Sequence, residues 1–119
     1  DDKMHSRSTG PNVILTRQPA EGRSRDGGLR FGEMERDCIL AHGTAQFLKE
    51  TLQDRSDNYR MFTCKQCGLV ASVNKDENIY YCKNCDNTSE FSELRVAYAM
   101  KLFIQELESM CVAPRLITK

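Results

Sequence analysis

Four of the six cysteines in this 119-residue chain form two close pairs with the spacing of metal ligands. Cys64 and Cys67 make the first pair, Cys82 and Cys85 make the second, and residues 68–81 lie between them. Two residues between thiolates allow one tight turn to direct both sulfurs at the same ion, and two such turns complete a tetrahedral site. The spacing therefore predicts a structural Zn²⁺ site with four thiolate ligands.

Redox and catalytic uses of these thiols are less favoured alternatives. A redox Cys-x-x-Cys motif normally occurs once, at the start of a helix beside a βαβ unit, and neither condition holds here. Catalytic zinc keeps an open position and usually has a histidine or carboxylate ligand, whereas His5 and His42 lie outside both pairs. Disulfides of a small secreted protein fit the spacing poorly. Cys38 and Cys111 fall within apolar helical patterns, which predicts two small buried hydrophobic residues.

The residues between the pairs predict a β-hairpin that carries the thiols. Leu69–Val73 and Ile79–Tyr81 have the composition of strands, and the turn-forming run Asn74–Asn78 separates them. Gly68 follows the first pair, where a positive backbone dihedral would be useful. This pattern is typical of a zinc ribbon, in which the metal supplies on the order of 10 kcal/mol of folding free energy.

Residues 1–32 are polar and glycine-rich, and they predict an irregular basic segment rather than a domain. One short strand is predicted at Asn12–Thr16. Between Gly22 and Gly32, arginines alternate with residues that have little or no side chain. Glycines allow a close backbone approach to a ligand, and arginine forks suit phosphate oxygens. The basic candidates are Lys3, Arg7, Arg17, Arg23, Arg25 and Arg30. On composition alone, a disordered basic linker is an equal alternative.

Two amphipathic helices are predicted, one on each side of the hairpin. The first begins near Glu33, keeps its apolar residues at spacings of 4 and 3, passes through Gly43 and ends by Asp54–Asn58. The second is predicted from about Tyr98 to Met110, after a strand at Leu94–Ala97. Broad apolar faces on so few helices predict burial against another chain, as in a larger assembly.

Composition limits what this chain can be. Lys+Arg and Asp+Glu are equal at 17 each, so net charge does not indicate a partner. No apolar run approaches the about 20 residues of a membrane helix, and we expect no secretory leader. No catalytic constellation is recognisable. The sequence predicts an α+β chain in four parts: a basic segment (1–32), a helix and loop (33–58), a zinc ribbon (59–92), and a strand and helix (93–119).

Longer motifs resemble one protein family across essentially the whole chain. They are Lys3–Pro11, Leu15–Pro19, Gly22–Asp37 (GRSRDGGLRFGEMERD), Ala41–Gly43, Ser56–Asp57, Tyr98–Leu102 and Ala113–Leu116, together with both cysteine pairs. The family is the second-largest, beta-like subunit of multisubunit DNA-dependent RNA polymerases, at its C-terminal end. The cysteine pairs are similar to those of the eukaryotic, archaeal and large-DNA-virus branch of the family. Bacterial beta subunits lack this ribbon, so the resemblance is to that branch.

The resemblance implies that the chain is part of the anchor and mobile clamp and packs on the largest subunit. The basic segment looks like a switch loop that lies against the RNA–DNA hybrid and template strand, and Gln53–Arg60 resembles a second switch segment. The implied contacts to the hybrid backbone are Lys3, Arg7, Arg23 and Arg30, with Arg17 and Arg25 as further candidates.

The resemblance also implies an enzymatic context for the chain. The assembled enzyme would transfer nucleotides through two Mg²⁺ ions, whose main carboxylate ligands belong to another subunit. The location would be intracellular: the nucleus in a eukaryote, or the cytoplasm for an archaeal or viral enzyme. An autonomous zinc-ribbon module that binds nucleic acid in transcription is the alternative, and it predicts a chain that binds DNA or RNA alone.

Overall fold

A computed structural model describes residues 1–119 and confirms the mixed α and β class. The chain forms three α-helices, four strands, one 3₁₀ turn and one π-helical turn. None of the helices is long and apolar enough to cross a membrane. In chain order the elements are the 3₁₀ turn (Arg23–Arg25), α1 (Glu33–His42), α2 (Ala45–Lys49), the π-helical turn (Glu50–Asp54), β1 (Asn58–Cys64), β2 (Ser72–Asn74), β3 (Ile79–Tyr81), β4 (Phe91–Ala97) and α3 (Tyr98–Ser109).

These elements belong to two compact units. The first, here called the N-terminal unit, comprises residues 1–58 and 97–99. The second, the ribbon unit, comprises residues 59–96 and 100–119. The first turn of α3 therefore belongs to the N-terminal unit, and the rest of the helix belongs to the ribbon unit.

The strand predicted at Asn12–Thr16 is wrong, because Ile14–Thr16 forms a turn and Asn12 makes only an isolated antiparallel bridge with Pro19. The Val13 amide donates to the Gln18 carbonyl at 2.8 Å, and the Arg17 amide donates to the Val13 carbonyl at 2.8 Å. Ile14 is 95% exposed, so the apolar run that indicated a strand covers no core. A strand needs a partner along its length, and here the chain turns back on itself instead.

The first predicted helix is interrupted at Gly43 rather than running through it. Gly43 has a φ of 84°, and its amide donates to the carbonyls of Ile39 and Leu40. This geometry is a helix C-cap that glycine adopts without steric cost. The apolar stripe of α1 faces solvent: Met34 is 81% exposed, and Cys38 is exposed rather than buried as predicted. Of the apolar side chains of α1, Ile39 alone is partly covered within the chain.

A buried aspartate fixes the beginning of α3 within the N-terminal unit. Asp57 is only 4% exposed; its carbonyl accepts the Tyr98 amide at 2.8 Å and its carboxylate accepts the Ala99 amide at 3.0 Å. The first amides of a helix lack intrahelical partners, so these two bonds cap it from a distant part of the sequence. The guanidinium of Arg17 lies 4.3 Å from the centre of the Tyr98 ring.

The ribbon unit contains two small sheets and a small core. Strands β2 and β3 pair antiparallel, with Val73 opposite Tyr80, and β1 pairs with β4. The prediction omitted β1, whose partner is far away in sequence. The buried side chains are Met61, Thr63, Cys64, Cys82, Asn87 and Ile104. Cys111 is exposed, because it follows the end of α3 with a φ of 64°, so its predicted burial is also wrong.

The cap at Gly43 makes a prediction about stability. We expect Gly43→Ala to lower the free energy of unfolding of the full chain by about 1 kcal/mol, because an L side chain is strained at positive φ. Gly43→Asn should cost less than half as much, because asparagine tolerates this conformation. Chemical denaturation followed by circular dichroism measures both. Equal stability of the alanine variant and the native chain would contradict the assignment of the cap.

Candidate metal centre and basic segment

The first cysteine pair lies on a tight turn at the end of β1. The Cys64 amide donates to the Leu69 carbonyl at 3.0 Å, and the Gly68 amide donates back to the Cys64 carbonyl at 2.9 Å. Gly68 has a φ of 77°, the positive value that its position predicted. The Leu116 amide donates to the Gly68 carbonyl at 2.8 Å, so the C-terminal tail covers this turn closely.

The second pair lies on a similar turn after β3. The Cys82 amide donates to the Asn87 carbonyl at 3.0 Å. Asp86 follows the second cysteine of its pair, as Gly68 does, and it also has a positive φ, 52°. Its carboxylate accepts the Tyr81 hydroxyl at 2.8 Å. The two turns therefore present their cysteines through the same kind of local backbone geometry.

The structure brings the four predicted cysteines into one cluster. All four sulfurs lie within 4.8 Å of one another. The Sγ atoms of Cys64 and Cys85 are 3.3 Å apart, and Cys82 Sγ lies 3.5 Å from those of Cys67 and Cys85. In a tetrahedral Zn²⁺ site with Zn–S bonds of about 2.3 Å, neighbouring sulfurs are about 3.8 Å apart. The four thiols thus fit one tetrahedral metal ion.

Two thiols of the cluster, Cys64 and Cys85, have pKa values shifted in opposite directions. The pKa of Cys64 is lowered to about 6, chiefly because the Asn87 side chain donates a hydrogen bond to its sulfur. The pKa of Cys85 is raised to about 12, chiefly by its hydrogen bond with Cys64. Cys85 therefore holds its proton more tightly than Cys64 does. A divalent cation can replace such protons, because metal binding requires deprotonated thiols.

Asn87 supports this cluster, and sequence reasoning missed it. Asn87 is only 7% exposed. The amide nitrogen Nδ2 lies 3.4 Å from Cys64 Sγ and donates to the Glu90 carbonyl at 2.7 Å. Its Oδ1 accepts the backbone amides of Ser89 and Glu90. The signal in the sequence was the run Asn87-Thr88-Ser89 directly after a cysteine pair, since asparagine favours such side-chain-to-backbone turns.

The six basic candidates of residues 1–32 do not share one environment. Five of them form no ion pair within the chain: Lys3, Arg7, Arg23, Arg25 and Arg30. Arg7 is half-buried and donates three hydrogen bonds, and Arg17 lies against the ring of Tyr98. The remaining four are exposed, with no hydrogen bond from the side chain to any other residue: Lys3, Arg23, Arg25 and Arg30. Their positive charges are therefore uncompensated within the chain.

The four-cysteine cluster on two turns of a small β unit defines the class of zinc-ribbon-like proteins. Comparison with protein families is more specific. Residues 27–119 match the family model of RNA polymerase Rpb2, domain 7, and residues 1–25 match that of RNA polymerase Rpb2, domain 6. The chain belongs to the RNA polymerase Rpb2 family, which confirms the resemblance seen in its motifs.

Individual relatives agree with this membership. The chain is 60% identical over 119 residues to DNA-directed RNA polymerase II subunit 2 of Arabidopsis thaliana and 56% identical over 119 residues to the subunit RPB2 of Schizosaccharomyces pombe. It is 52% identical over 116 residues to the archaeal subunit Rpo2 of Saccharolobus solfataricus. These alignments cover 98–100% of the chain but 10% of each relative, so the chain spans about a tenth of their length.

The hydrogen bond from Asn87 makes a prediction about pH. Asn87→Asp keeps the Oδ1 acceptor but loses the donor that lowers the Cys64 pKa, so protons should compete better with the metal. We expect metal release, followed with a chromogenic chelator, to occur at a higher pH than in the native chain. Asn84→Asp, at an exposed position of the same turn, controls for the added charge. Equal release midpoints for the two variants would show that the Asn87 bond is unimportant.

Proposed function

We propose that this chain acts as the C-terminal part of the second-largest subunit of a DNA-directed RNA polymerase. The observation that supports this most strongly is the family match along nearly all of the chain, at 60% identity to one plant subunit. Its contribution to RNA synthesis would be to hold nucleic acid and neighbouring subunits in place.

The exposed cations of the basic segment are the proposed contacts to the RNA–DNA hybrid and template strand. Lys3, Arg23, Arg25 and Arg30 are exposed and have no partner within the chain, so their charges are available to phosphates. Contacts of this kind do not depend on base sequence, which suits an enzyme that must copy any template. Arg7 and Arg17 are weaker candidates for direct contact, because both side chains are already engaged.

The four-cysteine cluster is the proposed site of one structural Zn²⁺ ion. Its ligands would be Cys64, Cys67, Cys82 and Cys85, and the donor set leaves no open position for chemistry. Bound zinc would join the two turns of a unit that has few buried apolar side chains. Zinc–thiolate chemistry also favours an intracellular location, because the thiols must stay reduced. That location would be the nucleus in a eukaryote or the cytoplasm for an archaeal or viral enzyme.

The exposed apolar stripe of α1 is the proposed contact with the largest subunit. Met34 and Cys38 of this stripe are exposed, and so are Leu40 elsewhere on α1 and Phe47 on α2. Covering such a surface is favourable in proportion to the apolar area removed from water. In the assembled enzyme, nucleotidyl transfer would use Mg²⁺ ions whose ligands lie mainly in that other subunit.

The alternative, an autonomous zinc-ribbon module, has less support. Lys75 in the ribbon hairpin pairs with Glu93 at 2.8 Å, which leaves less free positive charge there for nucleic acid. The exposed apolar residues of α1 also favour a chain that works within an assembly. A 119-residue chain that bound RNA–DNA hybrid as tightly as the whole polymerase would instead support the autonomous module.

Removing one unpaired cation should weaken the hold on nucleic acid. In the assembled polymerase, we expect Arg30→Ala to weaken the elongation complex, so that it dissociates at a lower salt concentration. The slope of the logarithm of the binding constant against the logarithm of salt concentration should become shallower by about 0.7–0.9. Lys75→Ala removes an equal charge that is already paired with Glu93, and it should leave the slope unchanged. Retention of the template measured over a salt series tests both. Unchanged salt resistance of Arg30→Ala would contradict the proposed contact.

Charging the apolar stripe should impair assembly. We expect Met34→Asp to reduce co-purification of the largest subunit severalfold, because a carboxylate would be buried at the interface without a partner. Gln46→Asp places the same charge at an exposed polar position of α2 and serves as the control. Quantitative mass spectrometry of the tagged complex gives the ratio of subunits. If both variants assemble like the native protein, this stripe is not the interface.

A further inference from the structure

Arg7 is distinguished from the other basic residues by the bonds of its guanidinium. Its Nη1 group donates to the carbonyls of Pro11 at 2.8 Å and Asp26 at 3.1 Å, and its Nη2 group donates to Asn12 Oδ1 at 3.0 Å. All three acceptors are neutral, and the two carbonyls lie far apart along the segment. Three of the five N–H donors of the guanidinium are thus used to tie one part of the segment to another.

The residues between the two carbonyls that Arg7 binds, 11–26, also take part in backbone hydrogen bonds. The Ala20 amide donates to the Pro11 carbonyl at 3.0 Å, so this carbonyl accepts from both the backbone and Arg7. The Gly28 amide donates to the Ala20 carbonyl at 3.0 Å. Gly27 is buried, and a Cβ there would collide with the carbonyl of Ala20. The backbone is therefore closely packed at the point where Arg7 binds it.

Two further residues lie close to the guanidinium of Arg7 or to the backbone that it binds. His5 bonds through a ring nitrogen to the carbonyl of Gly27, next to the carbonyl that Arg7 binds. A Cβ at Gly10 would lie 3.3 Å from Cζ of Arg7, so the chain passes tightly against the guanidinium. Among residues 1–10, His5 and Arg7 are the two that are not fully exposed. They are the anchors of an otherwise solvated stretch.

We propose that Arg7 is a positioning residue, whose forked guanidinium holds the basic segment in one shape and so presents Arg23, Arg25 and Arg30 together to a polynucleotide backbone. The presentation of these three arginines to a polynucleotide rests on the proposed function. The hydrogen bonds of Arg7 within the chain do not depend on that function. This role differs from the direct contact that the family resemblance implies for Arg7. It depends on the planar fork of arginine and not on charge alone, because one ammonium cannot reproduce the geometry of these three bonds.

Lysine substitutions separate positioning from phosphate contact. In the assembled polymerase, we expect Arg7→Ala to release an RNA–DNA hybrid roughly tenfold faster, and Arg7→Lys to recover none of this loss, because the fork is missing in both. At Arg25, a direct contact in the proposed function, Arg25→Lys should recover most of what Arg25→Ala loses, because the charge is restored. Recovery by Arg7→Lys would overturn the positioning role.

Hydrogen exchange of the same complexes, without nucleic acid, tests the internal bonds directly. We expect amides in peptides covering residues 11–28 to exchange roughly tenfold faster in Arg7→Lys, and at the native rate in Arg25→Ala. Native exchange in Arg7→Lys would overturn the proposal. Faster exchange with native hybrid retention would overturn the presentation step. If Arg25→Ala and Arg30→Ala also retain the hybrid normally, the proposed function fails, while the exchange data still decide the structural role of Arg7.

Discussion

The convergence of four sulfur atoms is the constraint on which the ribbon unit depends. The unit buries only a few apolar side chains, among them Met61 and Ile104, so hydrophobic burial alone gives it little stability. Cys64 and Cys82 are themselves part of that small core. A cation that binds all four thiolates joins the two turns and the sheet strands they adjoin. Zinc would therefore complete a core that the apolar residues leave unfinished.

The parts of the fold that the sequence predicts correctly are those set over short distances. The two cysteine turns, the positive φ of Gly68 and the hairpin of β2 and β3 all depend on neighbouring residues, and each is present. Strand β2 nevertheless covers Ser72–Asn74 and not the predicted Leu69–Val73. The prediction failed where distant partners decide the outcome. Strand β1 pairs with β4, whereas the predicted strand at Asn12–Thr16 is reduced to a turn with a single bridge from Asn12 to Pro19.

Gly43 illustrates a different limit. Its position within a continuous apolar pattern predicts a single helix, because the cost of glycine in a helix is small. The same residue can equally end a helix with a positive φ, and nearby hydrogen bonds decide between the two. In the structure its amide closes α1, and α2 begins again two residues later at Ala45. A pattern of apolar residues thus predicts a face but not the continuity of the helix that carries it.

The basic segment shows why residue type alone does not assign a site. Arg7 and Arg25 have the same side chain and lie in the same polar stretch, yet one guanidinium is bound to neutral acceptors of its own chain and the other is exposed without a partner. A segment with so few buried side chains is ordered mainly by polar bonds, and a fork with several donors can supply them without an acidic partner. An acidic partner would cancel one of the positive charges of the segment. By using neutral acceptors, Arg7 ties parts of the backbone together without that loss of charge.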